Sequence, residues 1–222
     1  MSKAAYPTTS DLLTLLQGIG AVDNPPSEAQ QTLLDSQDFV QEAIDLWERE
    51  TGYIPFLADA LGSTWDFESD LSGCVDLKGG FVSISTVNLN GTDRILNRDY
   101  RTMPRNAVAE LKPITYLEWC GPVRPFPPLP DRVASLQVTG VRGYSVLLKD
   151  SHWNAILRLA GLPLLPDLAT LRTGGLLKKR EGDVEETYTS TSGTSTNHLY
   201  SGIETAWRLS IKGSMPKRFR LA

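Results

Sequence analysis

The chain has 222 residues, of which 41% are hydrophobic and 22% charged, and a net charge of −4. That length holds one domain with extensions or two small ones, and the apolar share supports a real core. No apolar run approaches the ~20 residues that cross a bilayer, and the opening MSKAAYPTTSD lacks the apolar middle of a secretion signal.

Thr8, Thr9 and Ser10 offer N-caps for a helix over 8–18 carrying Leu12, Leu13, Leu15 and Leu16, and Gly18 and Gly20 stop it. Asp23-Asn24-Pro25-Pro26 reads as a loop. Ser27 and Gln30 have capping-box spacing, which stabilises a helix start by ~1 kcal/mol. From there one helix is predicted over 27–51. Leu33, Val40, Ile44 and Trp47 form its apolar stripe, expected to face a sheet, and Gly52 supplies the C′ residue.

Residues 53–146 read as the β region. The segment 53–57, with Pro55 inside, is either an edge strand or simply extended. Residues 64–67 alternate weakly as a short strand. The stretch 75–101, VDLKGGFVSISTVNLNGTDRILNRDYR, organises the rest. Val82, Ile84, Val87 and Leu89 mark one strand, and Ile95 and Leu96 mark another. Asn90-Gly91 between them tolerates positive φ and so favours a tight hairpin. The alternation slips between Ile84 and Val87, which predicts either a bulge or a strand buried on both faces. A further strand carries Ile114, Tyr116, Leu117 and Trp119. The run 121–131, GPVRPFPPLPD, is an extended surface loop. Leu136, Val138 and Val141 give a last core strand, loosened by Gly140 and Gly143.

Helices are predicted over 150–174. Asp150 or Ser151 caps the first, Gly161 and Pro163 interrupt it, and Pro166-Asp167 starts a second that Gly174-Gly175 ends. Beyond residue 176 the composition changes. Lys178-Lys179-Arg180 leads into an acidic stretch and a Thr/Ser run over 187–196 too poor in apolar area to bury itself. It is an arm, a linker or a strand that waits for a partner. Helical spacing returns over 199–209 through Ile203, Ala206, Trp207 and Leu209, and Lys212, Lys217, Arg218 and Arg220 close the chain. The expected class is α+β: N-terminal helices packed with a small, mostly antiparallel sheet, further short helices, and an extended C-terminal arm ending in a helix. The core domain is predicted over 1–176, and the arm, last helix and basic tail over 177–222.

Nothing in the chain has the pattern of a reaction centre. His152 and His198 have no Cys or second His beside them, and Cys74 and Cys120 lack metal-ligand spacing and read as free thiols. Gly79-Gly80 and Gly174-Gly175 read as turn pairs with no phosphate-binding Lys-Ser after them. No cofactor and no metal are expected. A hydrolase assembled from Asp66, Glu68 and His152 is the weakest alternative, and a monomeric β-rich module binding a peptide or glycan is the stronger one.

The charge is unevenly distributed. Residues 1–76 hold 14 acids against Lys3 and Arg49, a net of −12, and residues 77–222 hold 20 basic residues against 12 acids, a net of +8. Such a split fits a solvated acidic helical face, or attraction between copies with Arg94, Arg98, Arg101 and Arg105 at the subunit interface.

The order of several motifs resembles the head–tail connector proteins of tailed bacteriophages, also called adaptors or head-completion proteins. These motifs are WERETGYIPFLA, VDLKGGFVSISTVNLNG, the Asp99-Tyr100 of ILNRDYRTMP, LQVTGVRGY and REGDVEETYT, across most of 8–190. One departure is that Gly161, Pro163 and Pro166 break what is usually a long helix after the Gly-Tyr strand end. The resemblance implies a non-enzymatic virion protein at the head–tail interface, assembled in the host cytoplasm. It implies a ring, typically of twelve copies, beneath the portal protein. That ring extends the channel for genomic DNA, without sequence-specific binding, and presents a surface to the next neck or tail component. No membrane is involved. On this footing Ile203, Trp207, Lys212, Lys217, Arg218 and Arg220 are the expected portal-binding residues, with Trp207 as anchor. The opposing expectation is that the last helix packs back on its own domain.

Overall fold

The computed structural model describes residues 2–58, 61–68, 74–110, 112–120, 135–173, 178–181, 184–187 and 199–216. In chain order the elements are β1 (Ser2–Lys3), α1 (Thr9–Gly18), α2 (Glu28–Leu34), α3 (Phe39–Thr51), β2 (Ser63–Glu68) and β3 (Cys74–Leu89). Then follow β4 (Thr92–Asp93), β5 (Tyr100–Met103), β6 (Ile114–Trp119), β7 (Ser135–Arg142) and β8 (Leu148–Lys149). The chain continues through α4 (Asp150–Gly161), α5 (Leu164–Thr173), β9 (Lys178–Glu181), β10 (Val184–Thr187) and α6 (Ser201–Ser214). The class is α+β, and the chain divides into two compact units.

The first unit comprises Tyr6–Trp47 and Lys149–Pro216, with Met1. Its helices start where the sequence places caps. The Thr8 hydroxyl accepts from the Asp11 N–H while the Asp11 carboxylate accepts from the Thr8 N–H, and Ser27 and Gln30 do the same for α2. The single helix expected over 27–51 is instead two. The run Asp35-Ser36-Gln37-Asp38 breaks it. Asp35 ends α2, the Ser36 hydroxyl turns back to the Leu33 carbonyl, and the Asp38 side chain accepts from the Gln41 N–H 3.0 Å away to begin α3. These short polar side chains compete with the helical ladder for backbone groups. At α4 a second difference appears: the cap position is Lys149, without a side-chain bond, and Asp150 is already helical.

The core of this unit is Leu12 and Leu16 from α1, Val40, Ala43, Ile44 and Trp47 from α3, and Ala155, Ile156 and Leu157 from α4. Leu164, Leu165 and Leu168 from α5 and Trp207 and Ile211 from α6 complete it. Trp47, expected to face the sheet, lies against the His152 ring of α4 at 6.1 Å between centroids. α5 begins at Leu164, two residues before the predicted Pro166.

The second unit comprises Ser2–Ala5, Glu48–Leu148 and Lys217–Ala222, and Gly52 closes α3 in the left-handed region at φ 73°. Its sheet has the order β2-β7-β3-β6-β5, every neighbour antiparallel, with β4 paired to β3 beyond the Asn90-Gly91 turn. The second hairpin strand is only Thr92–Asp93, and Ile95 and Leu96 are exposed rather than members of a strand. β3 runs for 16 residues and is the axis of the sheet. The slip of alternation at Ile84 is a bulge, because register against β7 shifts between Ile84 and Thr86. Segment 53–57 is extended, bridging at Leu57 to Ser145. The core face carries Val75, Leu77, Phe81, Val87 and Leu89 of β3 with Ile114, Leu117, Leu136, Val138 and Tyr100. The opposite face is polar, with Thr64 and Thr139 hydroxyls 2.8 Å apart, as expected of an antiparallel sheet packed on one side.

Gly79-Gly80 is not a turn pair. Both glycines lie inside β3 at positive φ, 91° and 71°, where register against β6 jumps between Asp76 and Phe81. A Cβ on Gly79 would sit 2.8 Å from the Ile54 carbonyl oxygen, and one on Gly80 would sit 3.1 Å from the Tyr53 ring. The pair therefore opens β3 so that the segment after α3 can lie on it.

Candidate interaction surfaces

Three features of the described residues can position a partner. The first is an aromatic joint in the sheet unit. The Phe56 ring stacks on Tyr144 at 4.6 Å and 11°, and Tyr53 meets Tyr144 edge-on at 5.1 Å. The backbone fastens it. The Tyr144 N–H donates to the Phe56 carbonyl at 3.0 Å, and the Gly143 N–H donates to the Gly80 carbonyl at 3.0 Å. Burial pushes the Tyr144 phenol above its ordinary value, consistent with a ring serving in packing.

Beside this joint Arg142 lies 3.9 Å over the Trp65 ring and donates from Nη2 to the Lys78 carbonyl at 2.8 Å. Burial lowers its pKa from the ordinary guanidinium value. Trp65 remains 37% exposed on β2. Sequence reading found neither contact. The signal available was the Gly-Gly pair inside an alternating strand.

The second feature is the arginine-bearing end of the sheet. Asp99 closes the loop before β5. Its carboxylate accepts from the Ile95 N–H at 2.9 Å and from Arg98 Nε at 3.0 Å. The Arg98 hydrogen bond, then the Ile95 bond, hold the Asp99 carboxyl below its usual range. Arg105 lies 3.8 Å from Glu118, and Arg101 stands opposite Glu118 in the β5–β6 register. Arg94 anchors backbone to backbone, its N–H on the Val87 carbonyl at 2.8 Å. The four arginines expected at a subunit interface thus fall in one unit, and three of them, Arg98, Arg101 and Arg105, already stand near acids of their own chain.

The third feature is α6. Trp207 and Ile211 are buried, Ile203 is half-buried, and Leu209 is 68% exposed. The Trp207 ring sits over Gly161 of α4, where a Cβ would come within 2.7 Å of it. Arg158 of α4 donates to the Ser210 hydroxyl. Arg172 of α5 and the Tyr200 hydroxyl both donate to the Gly20 carbonyl, the latter at 3.1 Å. Trp207 is therefore a packing residue of its own unit and not an exposed anchor. Lys212 is exposed, while Lys217, Arg218 and Arg220 lie outside the described residues, as do 188–196 of the Thr/Ser run and the proline-rich 121–131.

For chemistry, Asp66 is exposed on β2 in the sheet unit, whereas His152 is buried in the helical unit. Burial first, then Lys149, pull the imidazole below its ordinary pKa. Among the described residues no three His, Cys, Asp or Glu gather as a metal site. Cys74 and Cys120 form no disulfide, and among the described residues no helix is long and apolar enough to cross a membrane.

No family model matches the chain, and no curated protein does. Among solved structures, the chain is similar to one in the neck of an empty GTA particle computed with C6 symmetry. The alignment covers 100% of this chain and 97% of that one, at 13% identity and a TM-score of 0.45.

Proposed function

We propose that the chain is a structural virion protein of the head–tail interface, a connector that joins a phage head to the neck or tail. In this reading it forms a ring, of twelve copies in the family it resembles, beneath the portal protein. The ring extends the channel through which genomic DNA passes without sequence-specific contact. Assembly takes place in the host cytoplasm.

One observation carries the reading. The motifs behind the resemblance are joints of the fold and not surface coincidences. Gly52-Tyr53, the end of the acidic helix, and Gly143-Tyr144, the end of the Val138-Thr139 strand, are far apart in sequence yet meet in the Tyr53–Phe56–Tyr144 stack. Asn90-Gly91 makes the hairpin turn at φ 51° and 80°, and Asp99-Tyr100 closes a loop and enters the core. The residues that match are those on which this architecture depends.

Sedimentation velocity and negative-stain imaging of the full chain test it. A closed ring is expected, together with co-sedimentation on portal-bearing, tailless particles. A chain that stays monomeric at every salt concentration and ignores such particles would sink the reading and favour the β-rich binding module.

A further inference from the structure

Of the chain's seven asparagines only Asn90 is followed by glycine. The pair makes the turn between β3 and β4, at φ 51° and 80°, and both residues are exposed. A tight turn of this hand needs positive φ at both central positions, which Asn and Gly adopt most readily. The same two residues also set a carboxamide carbon, Cγ of Asn90, beside a backbone nitrogen with which it can close a five-membered ring.

Three features favour that closure here. Gly91 has no side chain to shield its nitrogen, and even a Cβ built on it would meet nothing within 4 Å. Its N–H gives no hydrogen bond among the described residues, so none is lost when the proton leaves. The hairpin is also short. β4 is held to β3 by the pairs Asn88 with Asp93 and Leu89 with Thr92, and the Asn88 amide donates to the Asp93 carboxylate at 2.9 Å. So small an exposed element opens locally at little cost, which lets the turn rotate into the geometry of the ring.

Other asparagines supply the contrast. Asn97 is exposed and left-handed too, at φ 65°, but the Arg98 N–H that follows it donates to the Ile95 carbonyl at 3.3 Å. Asn106 is followed by Ala107, which is buried and donates to the Pro104 carbonyl at 3.0 Å. Asn24 precedes Pro25, which has no N–H to lose.

We infer that Asn90-Gly91 is a site of spontaneous covalent modification, at which the chain deamidates through a succinimide. The Gly91 N–H gives its proton to hydroxide. The nitrogen bonds to Asn90 Cγ, the Cγ–Nδ2 bond breaks, and ammonia leaves. Water then opens the ring. Attack at Cγ gives aspartate. Attack at the main-chain carbonyl gives isoaspartate, with the backbone running through Cβ and Cγ. One water is consumed and one ammonia released, and nothing is oxidised or reduced. Isoaspartate adds a carbon to a two-residue turn, which then no longer matches its strands. The two β3–β4 pairs part, and with them the bond from the Arg94 N–H to the Val87 carbonyl. Either product also places a new carboxylate near Asp93.

Peptide mapping of the full chain tests this. The protein is incubated at neutral and at mildly alkaline pH, digested under acidic conditions, and read by mass spectrometry with electron-transfer fragmentation, which separates aspartate from isoaspartate. Asn90 is expected to gain one mass unit ahead of every other asparagine, to give both products, and to convert faster at the higher pH. An intact Asn90 after another asparagine has converted, or aspartate without isoaspartate, would overturn the succinimide. Hydrogen exchange then reads the consequence. The amides of 92–94 are expected to lose protection in the isoaspartate form and to keep it in freshly purified Asn90→Asp, which carries the charge without the extra carbon. Equal protection in the two would overturn the opening of the hairpin.

Discussion

At the residue scale the largest energies sit in a few buried rings. Trp47 is fully buried on α3 against α4. Trp47→Ala is expected to cost ~3–5 kcal/mol, lowering the melting temperature sharply or abolishing soluble expression. A variant melting with wild type would contradict its placement. Its neighbour His152 makes the fold sensitive to pH. Because burial depresses the imidazole pKa, the unfolded chain binds the proton more readily than the folded one. Stability is fully present above the unfolded value near 6.5. It falls as pH drops below that value, and levels once the folded imidazole also titrates. Denaturant titrations from pH 7.5 downward, compared with His152→Gln, check this. The variant is expected to have the shallower slope as pH falls below about 6.5. Equal slopes would mean that His152 accepts its proton in the folded state as easily as in the unfolded one. Trp47 was legible as a core residue because helical spacing reports burial directly. Its partner was not, because periodicity names the face that is buried and not what covers it.

At the element scale, caps were legible and breaks were not. Thr8 and Ser27 cap the helices their spacing announced. Asp38 was read as one more acid on a helical surface, yet it starts a new helix, because a short acceptor after Asp35 and Ser36 can claim a free N–H. The apolar stripe over 27–51 kept its period across the break, which is why pattern alone passed over it. Gly79-Gly80 was misread for a related reason: a glycine pair signals positive φ, and both a turn and a bulge need that. The α6 helix shows what sequence can supply and what it cannot. Its apolar members were identified, and their destination was left between a partner and its own domain. Gly161 settles that for Trp207. Gly161→Ala places a methyl where the indole lies, at 2.7 Å, and is expected to cost about 1–3 kcal/mol by overpacking. The loss should appear in hydrogen exchange as faster opening of 201–214 ahead of the sheet, with Gly202→Ala, which meets nothing within 4 Å, as the control. Uniform loss across both units would mean that α6 is not a separable layer.

At the scale of the whole molecule the charge changes its meaning once the chain is folded. By sequence the split is −12 against +8. By unit it is milder. Met1, Tyr6–Trp47 and Lys149–Pro216 hold 14 acids against 8 basic residues, a net of −6, and the rest holds 12 acids against 14, a net of +2. Most of the change comes from the seven acids at positions 48–76, which belong to the sheet unit with its basic residues, whereas 149–216 is nearly neutral at 8 basic against 7 acidic residues. Of the four arginines proposed for the subunit interface, Arg98 is already held by Asp99 and Arg105 lies near Glu118. If copies associate, charge is therefore expected to be an auxiliary force between them, since Arg101 too stands opposite Glu118 in the β5–β6 register. Exposed pairs contribute about 0.2–1 kcal/mol each and are screened within ~10 Å at 0.1 M salt. A few such pairs lost together amount to roughly 1–2 kcal/mol, on the order of a tenfold change in the dissociation constant. Assembly measured by sedimentation from 0.05 to 1 M salt is expected to weaken by about that factor and to persist at the upper end. Complete dissociation would mean that charge dominates the interface. Indifference to salt would mean an apolar interface, and would leave the acidic surface of α2 and α3 to another task, such as a negative channel wall to which passing DNA does not adhere.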